Sequence, residues 1–435
     1  METSLPRTTL DDLFAPLDRS AAALSQRYPG DSGKRHPVHV VYGGAHLFRA
    51  GVARKLGDLA LRSLAEHAPD AETFASAFGI ADPALAGRIR ERVVEKLERE
   101  PVEDLRIDFE DGYGVRAGAE EDAHALAAAR ELLTGLDAGT LPPFSGIRIK
   151  PLAAETRDRA VRTLDLFLTA LGGRVPPEFR ITLPKITLPE EAAALAGLLD
   201  ELERRCGCGA GALKIEILVE TPQAYVNPRG EIGLLALAEA ARGRCVAAHF
   251  GVYDFTSSLG ITGARQNLLH PACDLARLLM QTAYAGTGIA VSDSITNVFP
   301  IPRAPGDHET VHRAWRLHYR HVRHALDLGF YQGWDLHPAQ LPARYAALYA
   351  FFLEGLDAAA ERLRNFIGRA AQATRVGEVF DDAATGQGLL LYFRRAVDCG
   401  AVSESEAAER CGLSLAQLRS GSFANICDTG SSNAR

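Results

Sequence analysis

Apolar positions along the chain fall into two alternating textures. Short runs rich in β-branched residues occupy 38–42, 105–109, 146–149, 180–184, 213–220, 245–251, 289–293 and 331–335. Runs of that length and composition predict strands, the continuous ones buried on both faces. Between them the period lengthens to that of helices: Leu85, Ile89, Val93 and Leu97 share one face within 46–100, an alanine-rich stretch runs to Leu133, and others cover 155–171 and the residues after Pro189. Eight strands alternating with helices over roughly 310 residues match the count and length of a (β/α)8 barrel. The rival, a doubly wound open sheet, usually carries a glycine-rich phosphate loop after its first strand, and Gly43-Gly44-Ala45-His46-Leu47 does not match that pattern.

The predicted fold is therefore α/β, a TIM barrel over 36–342 with helical appendages. A helical lead-in, 1–35, has Leu10, Leu13, Phe14 and Leu17 at helical spacing before RYPGDSGKRHP breaks the pattern. A helical C-terminal extension, 343–420, follows, with helices expected at 340–353, 357–372 and 384–398 and a capping box from Ser403 to Glu406. The extension is expected to cap a mouth of the barrel or to build an oligomer interface. Residues 421–435 carry few packing side chains and read as a flexible tail.

Composition narrows the classes. Hydrophobic content of 47% and charged content of 24% are those of an ordinary globular protein, and a formal charge of −7 argues against a general nucleic-acid binder. There is no apolar run of the ~18 residues a membrane span needs, and METSLPRTTLDDLF lacks the order of a secretory signal. Seven scattered cysteines fit reduced thiols, so a cytoplasmic location is expected. Cys206 and Cys208 have no second Cys/His pair nearby to complete a zinc site.

The chemistry concentrates where strands end. Strand two closes on Asp108, Glu110 and Asp111, strand three on Arg148 and Lys150, strand four on Lys185 and strand five on Glu220. Asp254 follows strand six, Asp293 ends strand seven, and Asp335 and His337 end strand eight. A barrel brings such ends to one mouth. Carboxylates gathered there repel one another unless a cation lies between them. Glu220 and Asp254, from adjacent strands, suit a hard divalent ion, magnesium or another such as manganese, with positions left for water and substrate oxygens. Glu220 could instead cap the helix that Thr221 and Pro222 begin. Arg148 offers a planar fork for a substrate carboxylate or a developing enolate oxygen, or else a structural bridge to Asp108 or Glu110. Asp108 and Glu110 read better as supports than as direct ligands.

Six stretches in order give these residues a family likeness: IDFEDGYG at 107–114, GIRIKP at 146–151, LPKI at 183–186, ETPQA at 220–224, HFGVYDFTSSLGI at 249–261 and GWDLHPAQ at 333–340. Over 36–342 the chain resembles the citrate lyase β-subunit and HpcH/HpaI aldolase superfamily, the phosphoenolpyruvate/pyruvate-binding TIM barrels. The resemblance implies that Glu220 and Asp254 hold magnesium, that Arg148 holds the substrate's carboxylate or keto oxygen, that Asp108, Glu110 and Asp111 surround the metal's waters, and that Lys185 lies near the site. It implies aldol or Claisen cleavage or condensation of a small 2-oxo or hydroxy acid, with or without CoA thioester, in a homo-oligomer. Asp111 stands where HpcH/HpaI aldolases carry a histidine, so the proton-moving group is open among a water held by Asp111, His46, Asp335 and His337. A malyl-CoA thioesterase or malate-synthase-like activity, or a non-catalytic binding barrel, are the alternatives.

Two further stretches stand out. HETVHRAWRLHYRHVRH places Val311, Trp315, Val322 and Leu326 on one face, which leaves most of His308, His312, His318, His321 and His324 on the polar face of a basic outer helix. FTSSLGITGARQN, after Asp254, reads as a lid or substrate loop.

Overall fold

The computed structural model describes residues 4–368, 374–376, 379–381 and 383–420. The expected tail at 421–435 and the end of the helix expected to reach 372 lie outside them. Eight parallel strands close into a barrel in sequence order: β1 (His39–Gly44), β2 (Asp104–Asp108), β3 (Phe144–Arg148), β4 (Arg180–Leu183), β5 (Lys214–Val219), β6 (Cys245–Phe250), β7 (Ala290–Ile295) and β8 (Gln332–Asp335), with β8 pairing back to β1. These are the predicted strands, shifted by a residue or two at their ends.

The region 46–100 divides into three helices, Val52–His67, Ala71–Phe78 and Pro83–Arg99. Asp70 and Asp82 end the preceding turns by accepting the backbone N–H of Thr73 and Ala84, so each new helix starts on a side-chain cap. The main apolar core lies between the barrel wall and its ring of helices. Only a small cluster of Val40, Tyr42, Leu218 and Trp334 lies inside the barrel.

Much of the rest of the barrel interior is charged. Asp104, Arg106 and Asp108 alternate with Leu105 and Ile107 along β2, so their side chains point inward. Arg106 is fully buried and donates to Asp104 (2.6 and 3.0 Å), to Glu216 (2.6 Å) and to the Thr182 hydroxyl (2.9 Å). His249 Nε2 stands 3.0 Å from Glu216. Burying such a set is favourable only because each charge meets an opposite one at hydrogen-bond range.

Outside the wall lies a second buried ion cluster. Asp335 takes His39 Nδ1 at 2.8 Å, His318 Nε2 at 2.9 Å and the Arg344 guanidinium at 3.0 Å. Arg344 belongs to Leu341–Glu354, a helix buried along nearly its whole length against helices Pro83–Arg99 and His308–Asp327. That helix follows β8 and completes the ring, so the barrel extends past the expected boundary at 342.

The histidine-rich helix departs from expectation. His318 and His321 are buried, both within 2.9 Å of the Thr296 hydroxyl, and burial drives the His321 pKa down to about 3. His67 and His308 meet at 2.9 Å, and His324 reaches Asp274 at 2.8 Å. Their imidazoles are polar fillers of a crowded interface, while Arg313, Arg316 and Arg320 hold the exposed, basic face of the helix.

The C-terminal extension covers the barrel floor, the end where strands begin, and not the mouth. Arg92 binds Glu406 at 2.9 Å, and Tyr349 donates to the carbonyl of Cys399 at 3.2 Å. Ser403 caps helix Glu404–Cys411 by accepting the N–H of Glu406, as its capping-box spacing predicts. At the other end of the chain, helix Arg7–Arg27 buries no residue.

Candidate active site at the barrel mouth

The mouth is assembled from strand ends whose backbones fix the side chains. Asp108, the last residue of β2, is fully buried and turns the chain after it by accepting the N–H of Glu110 (2.9 Å) and Gly112 (2.7 Å). Its two oxygens then receive Arg148 Nε at 2.7 Å and Nη2 at 2.5 Å. That bidentate pair locks the guanidinium plane. The bridge weighed as an alternative for Arg148 is therefore present, yet it leaves Nη1 facing Glu110 at 3.0 Å and Asp111 at 3.7 Å. The guanidinium also lies over the Tyr42 ring, 4.9 Å from its centre. Burial opposes its charge, but Asp108 and Glu110 outweigh that and keep it protonated.

Lys185 occupies the centre. It adopts a left-handed φ of 53°, uncommon for a side chain other than glycine. This turn after β4 points its N–H at Glu220 Oε1, 2.8 Å away. Its ammonium reaches Glu110 at 2.7 Å, Asp111 at 3.2 Å and Asp254 at 3.4 Å. Strand ends brought to one bowl thus carry more carboxylates than cations, and Lys185 joins Arg148 as a cation among them.

Glu220 follows β5 directly and is buried, with its carboxylate turned to the mouth and not to the helix Pro222–Tyr225 that it might have capped. Burial, with the Asp254 and Glu110 charges added, pushes its pKa up to about 8 despite Lys185 and Arg148. Asp254 sits half-exposed in the first turn of helix Val252–Ser258, so the expected loop after it is partly helical. Glu110 and Asp111 share a hydrogen bond. Burial dominates for Glu110 and raises it; for Asp111 that bond and the charges of Arg148 and Lys185 outweigh burial and hold it low.

The donor set fits a hard divalent ion. Glu220 and Asp254 offer only carboxylate oxygens, and a cation between them would relieve both the burial and the neighbouring carboxylate charges that lift Glu220. Among the described residues no three His, Cys, Asp or Glu side chains form a closed cage. Magnesium typically takes one or two carboxylates and fills its shell with water and ligand oxygens, so it needs none.

A family model described as a domain of unknown function, DUF6986, matches residues 17–426. The chain belongs to that family. Comparison with curated proteins gives no match. Among solved structures, this DUF6986 member resembles a citrate lyase from Burkholderia xenovorans LB400 at 25% identity, covering 74% of this chain and 91% of that one with a TM-score of 0.56. Its barrel is thus of the citrate lyase and HpcH/HpaI aldolase superfamily. Two other matches are a Haloferax volcanii malate synthase with magnesium and glyoxylate (14% identity, 89% and 98% covered, TM-score 0.49) and the CitE protein of Mycobacterium tuberculosis with magnesium and pyruvate (17%, 73% and 92%, 0.41).

Of the residues this DUF6986 sequence marked, Asp108, Glu110, Asp111, Arg148, Lys185, Glu220 and Asp254 all meet at the mouth. Others do not. Asp335 is enclosed outside the wall by His39, His318 and Arg344, and Asp293 is held by Arg277 at 2.9 Å. Both point outward from their strands, away from Glu220 and Arg148. Lys150 is taken up by Glu121 at 2.7 Å. His337 accepts the N–H of Ala339 and stacks on Phe299, while His46 packs beside Tyr113 and His124. Tyr42 and Gly251 went unmarked. A Cβ on Gly251 would lie 2.3 Å from Glu220 Oε2, and only the juxtaposition of β5 with β6 reveals that.

Proposed function

We propose that this protein is a magnesium-dependent carbon–carbon lyase acting on a small 2-oxo or hydroxy acid, free or as a CoA thioester. The observation that carries this reading is one bowl holding Glu220, Asp254, Lys185 and the Asp108-locked Arg148. The likeness to a citrate lyase supports the same class.

Glu220 and Asp254 would hold the ion, which when bound supplies Lewis-acid stabilisation of negative charge on a substrate oxygen. The chain's own residues do the rest. Arg148, fixed by Asp108, would give up its Nη1 contact with Glu110 to take a substrate carboxylate or the oxygen that becomes an enolate. Lys185 keeps Glu110, Asp111 and Asp254 from repelling the anionic substrate. Asp111, its carboxylate more than half exposed and held ionised, orients a water at the mouth for proton transfer.

The test is exchange of the pyruvate methyl protons with deuterium, followed by NMR with and without magnesium. Exchange that requires the ion and disappears in Glu220→Gln supports the reading. Absence of exchange across a panel of small 2-oxo and hydroxy acids, with the ion bound, overturns it.

A further inference from the structure

The barrel floor holds a cavity of about 300 Å³, at the opposite strand ends from Glu220 and Arg148. Its walls come from four parts of the chain: His36 on the linker into β1, Tyr284 and Val291 where a helix leads into β7, Gln332 and Tyr331 at the start of β8, and Leu391 and Arg395 on helix Ala383–Asp398.

Three of its buried polar atoms lack partners. Gln332 is buried, and neither Nε2 nor Oε1 has a hydrogen bond among the described residues. Arg395 Nε is likewise buried and unpartnered. The nearest carboxylate to Arg395 is Asp31, 3.9 Å away and already paired with Arg394. Native structures rarely leave such groups unmet, because each forfeits its hydrogen bonding to water when desolvated. Here a side-chain amide needs both a donor and an acceptor, and a guanidinium needs an anion.

We propose that this floor cavity binds a small hydroxycarboxylate, its carboxylate taken by Arg395 and Gln332 Nε2 and its hydroxyl donated to Gln332 Oε1. The apolar walls of Val291, Tyr331 and Leu391 suit a short carbon body better than a fully hydrated inorganic ion. The charge balance agrees: burial, then the Arg395 charge, with Arg180 and Arg394 adding, outweigh the Asp31 carboxylate and hold His36 down to about 4. A neutral His36 can hydrogen-bond the ligand, and a bound anion would raise its pKa. Because the walls join the lead-in, the barrel and the C-terminal helix, occupancy fastens the extension to the floor. None of this depends on the chemistry assigned to the mouth.

The experiment uses the full chain in EDTA, which silences ion-dependent binding at the mouth, with lactate, acetate and inorganic phosphate as probes. Lactate should raise the thermal midpoint more than acetate or phosphate and should shift the His36 imidazole signals toward a higher pKa. Arg395→Gln and the near-isosteric Gln332→Leu should each lose both responses, while Glu220→Gln retains them. Should Arg395→Gln fail to fold by circular dichroism, Gln332→Leu decides alone. A lactate response that survives in folded Gln332→Leu, disappears in Glu220→Gln, or is matched by phosphate overturns the proposal, as does no response in the unmutated protein.

Discussion

Gly251→Ala is the sharpest test of the role given to Glu220. Gly251 has φ of −108°, an ordinary value, so alanine introduces no backbone strain and acts only through its methyl group. That Cβ would stand 2.4 Å from Glu220 Cβ and 2.3 Å from Oε2, where ordinary contact begins at 3.4 Å. The chain must therefore open by about 1 Å between the end of β5 and the end of β6, where Gly251 leads into helix Val252–Ser258. Glu220 Cβ is fixed to its strand end, so rotation of the side chain cannot absorb the whole overlap. Overpacking of this kind costs about 1–3 kcal/mol of stability. A displacement of about 1 Å at a reacting centre costs about 100-fold in rate. The variant should fold by circular dichroism, melt lower, bind magnesium more weakly by calorimetry, and lose about two orders of magnitude in ion-dependent pyruvate exchange. Gly51→Ala, where nothing lies within 4 Å of the added methyl and φ is −93°, is the matched control. A folded Gly251→Ala with unchanged ion affinity and exchange rate would refute the placement of Glu220 as an ion ligand.

Other expectations follow from the same geometry. An ion bound by Glu220 displaces its proton below pH 8, so apparent affinity should fall about tenfold per pH unit below that value and level off above it; Glu220→Gln should flatten the profile measured by calorimetry. The sign for stability is set by the same shift. The folded metal-free protein keeps a proton on Glu220 that the unfolded chain releases near 4.5, so its stability, measured by urea unfolding, should decline from pH 4.5 to about 8, less so in Glu220→Gln. Arg148→Lys loses the two-pronged hold of Asp108 and should reduce exchange by about 10²–10³-fold, more through kcat than KM, with the fold retained. Asp335→Asn leaves His39, His318 and Arg344 around a neutral amide and should cost about 3–5 kcal/mol in urea unfolding, while exchange per folded molecule is unchanged; a selective loss of exchange would return Asp335 to the chemistry.

What the sequence disclosed and what it withheld differ in a physical way. Strand number and order were legible because each buried strand writes its own apolar run, and the likeness to the superfamily ordered the strand ends into one mouth. The direction of a side chain at a strand end was harder to read. Asp108 and Asp335 both close strands, yet Asp108 continues the inward alternation of Asp104 and Arg106, whereas Asp335 follows Trp334, which itself points inward beside Tyr42. Parity along the strand separates them: residues at even steps from a known inward side chain face the interior, and the next residue faces the helices. The same parity places Gln332 inside the floor, two residues before Trp334. The histidines misled for a related reason. Val311, Trp315, Val322 and Leu326 mark one buried stripe, but helix His308–Asp327 is enclosed by Leu341–Glu354 and Ala71–Phe78 together, so its buried arc is wider than one apolar stripe and takes in His318 and His321. A helix that packs on two neighbours at once can bury polar rings wherever hydroxyls or carboxylates meet them. Thr296 and Asp335 supply those partners here, and both lie far from His318 in sequence, beyond the reach of any local pattern.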